Sequence, residues 1–230
     1  KMNTISTFLE HFDLTQLISL LIQAIAALLC ISFHEMGHGF AAWCLGDETA
    51  KRQGRVSMNP LHHIDPLGLI LLITAGFGWA KPVPVDMRHF RHPKSGMAIT
   101  ALAGPLSNFL MGWAALGGAS LLYHFALKQI VTVQLYAHLF ALLIQIAVLS
   151  VGLGMFNLIP FPPLDGSKIL FSLLPDRIYY FILRYERYLM AALFVLVFFG
   201  LLDTPLAVLR DWGLRSLCQL TRFPADFFGL

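Results

Sequence analysis

The sequence predicts an all-α polytopic membrane protein: a helical bundle with a re-entrant or β-hairpin membrane-associated segment between its first two core spans. Three observations lead there. Hydrophobic residues make up 57% of the 230-residue chain and charged residues only 13%, with a mean hydropathy of +0.69, a balance soluble domains do not keep. Three apolar stretches, at about 14–45, 97–126 and 131–156, each exceed the ~20 residues needed to cross hydrocarbon. Between the first two lies a shorter apolar run, 67–80, flanked by proline-broken polar segments. The whole of 1–230 reads as a single membrane-embedded domain.

Residues 1–13 are mixed in polarity, and Phe8, Leu9 and Phe12 can anchor at an interface. They lack a basic n-region followed by a short apolar h-region and a cleavage site, so the first span is expected to direct insertion itself. That span carries His34-Glu35-Met36-Gly37-His38 near its end. In a helix, residues four apart share a face, so His34 and His38 can hold one metal ion, and Glu35 can take a proton from a water the metal activates. A chance match in a histidine-containing helix is the alternative. Against it, ionisable groups in an apolar span are costly unless paired, coordinated or hydrated.

The chain then turns polar. Asn59-Pro60 and Asp65-Pro66 forbid a continuous helix over 54–66 and favour extended or turn geometry. The run 67–80 contains Gly68, Gly76 and Gly78 and is too short for a confident crossing, so it is expected to be re-entrant or interfacial. Alternate prolines in Lys81-Pro82-Val83-Pro84-Val85 impose an extended backbone. Arg88, His89, Arg91, His92 and Lys94 read as a headgroup-facing loop, with a second metal site as the alternative.

In the second span Gly104, Asn108 and Gly112 repeat at helical spacing, so one side is small and polar and should meet another helix closely. The third span is almost uniformly apolar and ends at Asn157. A proline-broken loop follows, from Leu158 through Pro160, Pro162 and Pro163 to Asp165-Gly166. Non-helical backbone at membrane depth is tolerated where it lines a cavity or is buried in protein. Residues 167–186 begin as a short amphipathic helix, with a turn at Pro175-Asp176. A final apolar span is expected at about 187–202, with Tyr179, Tyr180, Tyr185 and Tyr188 as an interfacial belt. Residues 203–230 mix Trp212, Phe223, Phe227 and Phe228 with Arg210, Arg215 and Arg222, and read as a surface tail.

The net charge of +3 is small and its cations fall in loops, which points to topology and anionic lipid rather than nucleic acid. Lys51, Arg52, Arg55, Lys81, Arg88, Arg91 and Lys94 crowd the loop after the first span, whereas only Lys128 lies between the second and third. The positive-inside rule therefore turns the His34 end and the Asp165 loop towards the cytoplasm. Cys30, Cys44 and Cys218 are too few and too scattered for a disulfide framework or a thiolate zinc site, and read as small apolar packers.

A catalytic metal takes three protein ligands and keeps one position open. Asp165 is the first candidate for the third, since it sits in the other apolar-flanked polar turn on the same expected side. Asp65 is the second, and a helix-capping role for Asp165 is the alternative. Asn157 could donate to an oxyanion, and so could Asn108, whose small-residue face suits interhelical bonding or ligand support equally well.

Taken jointly, His34-Glu35-xx-His38, Gly104-Pro105-xx-Asn108 and Asn157-xx-Pro160-x-Pro162-xx-Asp165-Gly166 resemble the intramembrane metalloproteases of the site-2 protease family. The stretch 54–66, with Gly78-Trp79-Ala80-Lys81-Pro82-Val83-Pro84, resembles the membrane-associated β-hairpin region of short bacterial members that lack a PDZ or CBS domain. The resemblance covers about residues 14–200. It implies one Zn²⁺ per chain held by His34, His38 and Asp165, with Glu35 as general base and Asn157 touching the substrate carbonyl or oxyanion. It implies a single-span transmembrane protein, or a remnant peptide of one, as substrate, and a place in the bacterial inner membrane. The extended stretch near 83–85, or the one near 55–58, could pair with an unwound substrate by strand addition. Two other readings stay open. One is a catalytically silent membrane protein that binds such clients; the other is a metal transporter, which would need more intramembrane acids than Glu35 and Asp165.

Overall fold

The structure, a computed structural model, describes residues 14–65, 68, 81–126 and 133–230. The interfacial segment expected at 1–13 and, apart from Gly68, the re-entrant or hairpin run at 67–80 lie outside these residues. What is described is helical, with no strand among the described residues. Helix α1 is Leu14–Cys44 and α2 the single turn Thr49–Arg52; α3 is Pro93–Ala126, α4 Val133–Asn157, α5 Asp165–Phe171, α6 Asp176–Phe198 and α7 Asp203–Thr221. Short 3-10 turns stand at Pro60–His62, Met87–His89 and Ala225–Phe228.

Leu14–Cys44, Pro93–Tyr123 and Gln134–Asn157 are each long and apolar enough to cross a membrane. The last two helices, taken together, would make a fourth span broken by a bend of 88°. Gly200 sits at that break with φ +68°, a left-handed conformation that glycine adopts without steric cost. The apolar C-terminal part of α6 turns Phe194, Val195 and Phe198 outward, as expected of a helix surface that meets lipid.

The core lies between α1, α3, α4 and α7. Ala26 and Cys30 meet Ala115, Leu116 and Ala119, Ile146, Ala147 and Val151, and then Leu214, Leu217 and Cys218. Small residues dominate, as expected where helices gain by close approach rather than by hydrophobic burial. All three thiols are free, and Cys30 Sγ lies 3.1 Å from Ser150 Oγ.

The expected surface tail needs correction. Residues 203–221 form α7, which lays Gly213, Leu214, Leu217 and Cys218 against the bundle, and Leu214 keeps only 2% of its surface exposed. These positions make one helical stripe; Arg210 lies on it one turn earlier, with its aliphatic stem near Gly152 of α4, and pairs with Asp211 at 2.9 Å. The interleaved charges lowered the hydropathy of a helix whose buried face is apolar. The helix that carries the last apolar run begins before that run, since α6 is continuous from Asp176, while the stretch apolar enough to span begins at Arg184. Arg177, Arg184, Glu186 and Arg187 belong to the same helix as the apolar run after them.

The loop after α1 is organised by Asp47, whose side chain is fully buried. It accepts hydrogen bonds from Thr49 N at 3.0 Å, Thr49 Oγ1 at 2.5 Å and Asp86 N at 2.7 Å, and His89 Nδ1 lies 2.9 Å away. Burial alone would raise this carboxyl's pKa, but the donors outweigh it and hold Asp47 below the ordinary range. The histidines of the basic loops act as staples too. His62 Nδ1 meets Gly54 O and His63 Nε2 meets Ser57 O, both at 2.9 Å, and Arg55 donates to His62 O.

Candidate metal centre

Among the described residues, the one group of three or more His, Cys, Asp or Glu side chains with converging ligand atoms is His34, His38 and Asp165. The two Nε2 atoms are 3.0 Å apart, and Asp165 Oδ2 lies 3.2 Å from that of His34 and 3.1 Å from that of His38. α1 supplies the histidines at a one-turn spacing, and Asp165 enters from the first turn of α5. Asp165 does not act as the helix cap: Leu164 holds that place and no side-chain cap bond forms. Its carboxylate is instead turned to the imidazoles, with Lys168 Nζ 3.4 Å from Oδ1. Ser167 Oγ closes the turn by donating to Leu164 O at 2.6 Å.

α3 builds the floor. A Cβ on Gly104 would collide with the His38 ring and stand 2.7 Å from His34 Cε1, so only glycine leaves room for both imidazoles. On the facing helix a Cβ at Gly37 would lie 2.8 Å from Ala103 O, which makes this the close crossing expected of the small side of α3. Ser107 Oγ adds a donor to Phe33 O at 3.1 Å.

The outer ring nitrogens decide what the inner ones can do. His38 Nδ1 lies 2.7 Å from Thr100 O, which can only accept, so Nδ1 carries the proton and Nε2 presents a lone pair. His34 Nδ1 lies 3.0 Å from the Asn108 amide nitrogen, while the buried Asn108 Oδ1 has no partner. Turning that amide over brings Oδ1 onto an Nδ1–H of His34 and satisfies the orphaned oxygen. Both Nε2 atoms then present lone pairs towards the point where Asp165 Oδ2 also converges.

These residues fit zinc. Bonds of ~2.0–2.1 Å give a tetrahedron with edges of roughly 3.3 Å, close to the spacing of the three donors, and a two-nitrogen, one-carboxylate set leaves a fourth position open. Glu35 is not part of the converging group. One residue beyond His34, it is rotated off the ligand face, and its Oε2 accepts a hydrogen bond from Val83 N at 2.8 Å.

The other candidates fall elsewhere. Asn157, at the end of α4, donates from Nδ2 to Leu153 O of its own helix at 3.0 Å. Asp65 accepts from Gly68 N at 3.0 Å and stays out of the group. Of the basic residues, Arg88 pairs with Asp86 two residues before it at 2.6 Å, and Lys94, in the first turn of α3, pairs with Asp176 at the start of α6 at 2.7 Å. Sequence reasoning missed two contributors, the Thr100 carbonyl and the Val83 amide. Thr100 continues the Gly104, Asn108 spacing one turn back, a signal that was there to read. The Val83 amide had only its setting between two prolines to mark it.

Comparison with known proteins adds the relatives. The model of Peptidase family M50 matches residues 22–200. YwhC of Bacillus subtilis (strain 168), named as a candidate zinc metalloprotease, is 34% identical over 193 residues, 84% of this chain and 84% of its own. Rip2 of Mycolicibacterium smegmatis, named likewise, is 30% identical over 144 residues, 60% of this chain and 52% of its own. Rip2 of Mycobacterium tuberculosis (strain Erdman) is 29% identical over 147 residues, 62% of this chain and 53% of its own. No solved structure matches significantly.

Proposed function

We propose that this chain, which belongs to peptidase family M50, the site-2 protease family, is a zinc-dependent intramembrane endopeptidase cutting transmembrane segments of other proteins. Membership makes it a zinc metalloprotease and an integral membrane protein. The finer reading rests on one observation: the converging His34, His38 and Asp165 atoms are carried partly by α1, itself long and apolar enough to span.

In this reading His34 and His38 hold one zinc ion per chain through Nε2, and Asp165 through Oδ2. Zinc, when bound, supplies Lewis acidity to the water and the carbonyl. Glu35 takes the proton from the attacking water and returns it to the leaving amine. Asn157 leaves its bond to Leu153 O and donates to the developing oxyanion. A transmembrane helix hides its carbonyls in i to i−4 bonds, so the substrate must unwind locally before attack. The substrate is a single-span protein or its remnant peptide. By the loop cations the site faces the cytoplasmic side of a bacterial inner membrane.

The test is metal analysis of the purified protein together with cleavage of a panel of membrane peptides by wild type and Glu35→Gln. Stoichiometric zinc in both, with cleavage by the wild type alone, is the expected result. Equal cleavage by both contradicts the mechanism.

A further inference from the structure

We infer that the extended segment 81–86 is a rigid arm that positions Glu35, and that the Val83 backbone N–H is the group that does so; this rests on the peptidase reading of Glu35. The segment's amide donors are nearly all spent on the protein. Lys81 N donates to His63 O at 2.8 Å, Val83 N to Glu35 Oε2 at 2.8 Å and Asp86 N to the buried Asp47 Oδ2 at 2.7 Å. Pro82 and Pro84 have no N–H to give. Val83 N–H is therefore the one donor between its two prolines, and it is committed to a carboxylate 48 residues away in sequence.

The setting is stiff. Proline fixes its own φ and bars the α region to the residue before it, which here restrains Lys81, Pro82, Val83 and Pro84 in succession. Side-chain packing presses the arm onto α1. A Cβ on Gly39, next to His38, would stand 3.3 Å from Val83 Cγ1 and 3.2 Å from Val56 Cγ2. Both ends are fastened, by the His63 carbonyl and by Asp47.

A free Glu side chain turns about three bonds. With Oε2 held by the Val83 amide, Oε1 is the oxygen left to meet the attacking water, and the carboxylate no longer turns freely. Val83 is in this sense a positioning residue. The same bond engages the donor that strand addition at 83–85 would need.

Two measurements test this on the full-length protein in detergent micelles. The first is residue-resolved hydrogen exchange at Val83, which needs no substrate. Protection is expected to fall at least about ten-fold in Glu35→Ala and to persist in Glu35→Gln, whose amide oxygen still accepts. Equal protection in wild type and Glu35→Ala overturns the inference. The second is cleavage of a labelled single-span peptide that the wild type cuts. Replacement of Val83 by its α-hydroxy acid analogue removes the donor and keeps the side chain, while Val83→Pro removes the donor together with the branch that packs near Gly39. Either is expected to lower kcat about 10- to 100-fold with KM and zinc content unchanged, while Val83→Ala, which keeps the N–H, recovers most of the loss. Unchanged or raised kcat in the donor-less variants overturns positioning and leaves the peptidase intact. Equal cleavage by wild type and Glu35→Gln overturns the peptidase reading and the inference together.

Discussion

Replacing Gly104 with alanine adds one methyl group at the closest point between α3 and the ligand rings. The new carbon would collide with the His38 ring and stand 2.7 Å from His34 Cε1, against the ~3.5–4.0 Å at which carbon atoms rest. Each ring must therefore retreat by roughly 1 Å, whereas metal sites tolerate ligand displacements of about 0.2 Å. The backbone offers little relief, because the same crossing leaves no room for even a Cβ at Gly37, which would stand 2.8 Å from both Ala103 O and Ser107 Oγ. Zinc affinity should fall by at least about 100-fold, more than the loss expected from removing a single outer hydrogen bond. The assay is zinc retained per chain after dialysis against graded chelator, with Gly117→Ala as the control. A Cβ at Gly117 meets nothing within 4 Å, so that variant should keep its zinc and gain up to about 1 kcal/mol of helix stability. Gly104→Ala with wild-type zinc affinity would refute the geometry.

Other expectations follow from neighbouring contacts. Asn108→Ala removes the partner of His34 Nδ1 and should weaken zinc binding about 10- to 100-fold in the same chelator titration. Leu214→Ala should cost about 2–5 kcal/mol in thermal or denaturant unfolding, while Val208→Ala, on the exposed side of α7, should cost little; equal small effects would return α7 to the surface. Asp47 has a depressed pKa in the folded state, so its stabilisation is present above the unfolded value of about 3.9 and is lost as pH falls through the lower folded value. The difference in Tm between wild type and Asp47→Asn should thus be constant from pH 7 to about 4 and narrow below it; a difference that grows on acidification would reverse the sign.

The parts of this molecule that were legible beforehand are those whose chemistry is written in side chains. His34 and His38 declare themselves by spacing, and Asp165 by being an acid in an apolar, proline-broken loop. Their meeting then follows from the small face of α3, which Gly104 and Asn108 advertise at helical spacing. α7 was hidden because Arg210, Asp211 and Arg215 interrupt its hydropathy, although Gly213, Leu214, Leu217 and Cys218 form a clean stripe once the helix is known. The choice for Asn108 between oxyanion donor and ligand support turned on a contact with His34 Nδ1 that spacing cannot measure. Thr100 O and Val83 N–H are backbone groups, which every residue carries, so nothing in the residue types singled them out. Asn157 is legible by type as an oxyanion donor, but residue type does not show that its amide first has to leave a bond to Leu153 O.

The most direct measurement is zinc-edge X-ray absorption on the purified protein, paired with zinc content of wild type and Asp165→Ala. The expected result is one zinc per chain with a nitrogen and oxygen shell near 2.0–2.1 Å, two imidazoles within it, no sulfur scatterer, and zinc lost in Asp165→Ala. A sulfur shell near 2.3 Å, or full zinc occupancy without Asp165, would contradict a centre built from His34, His38 and Asp165.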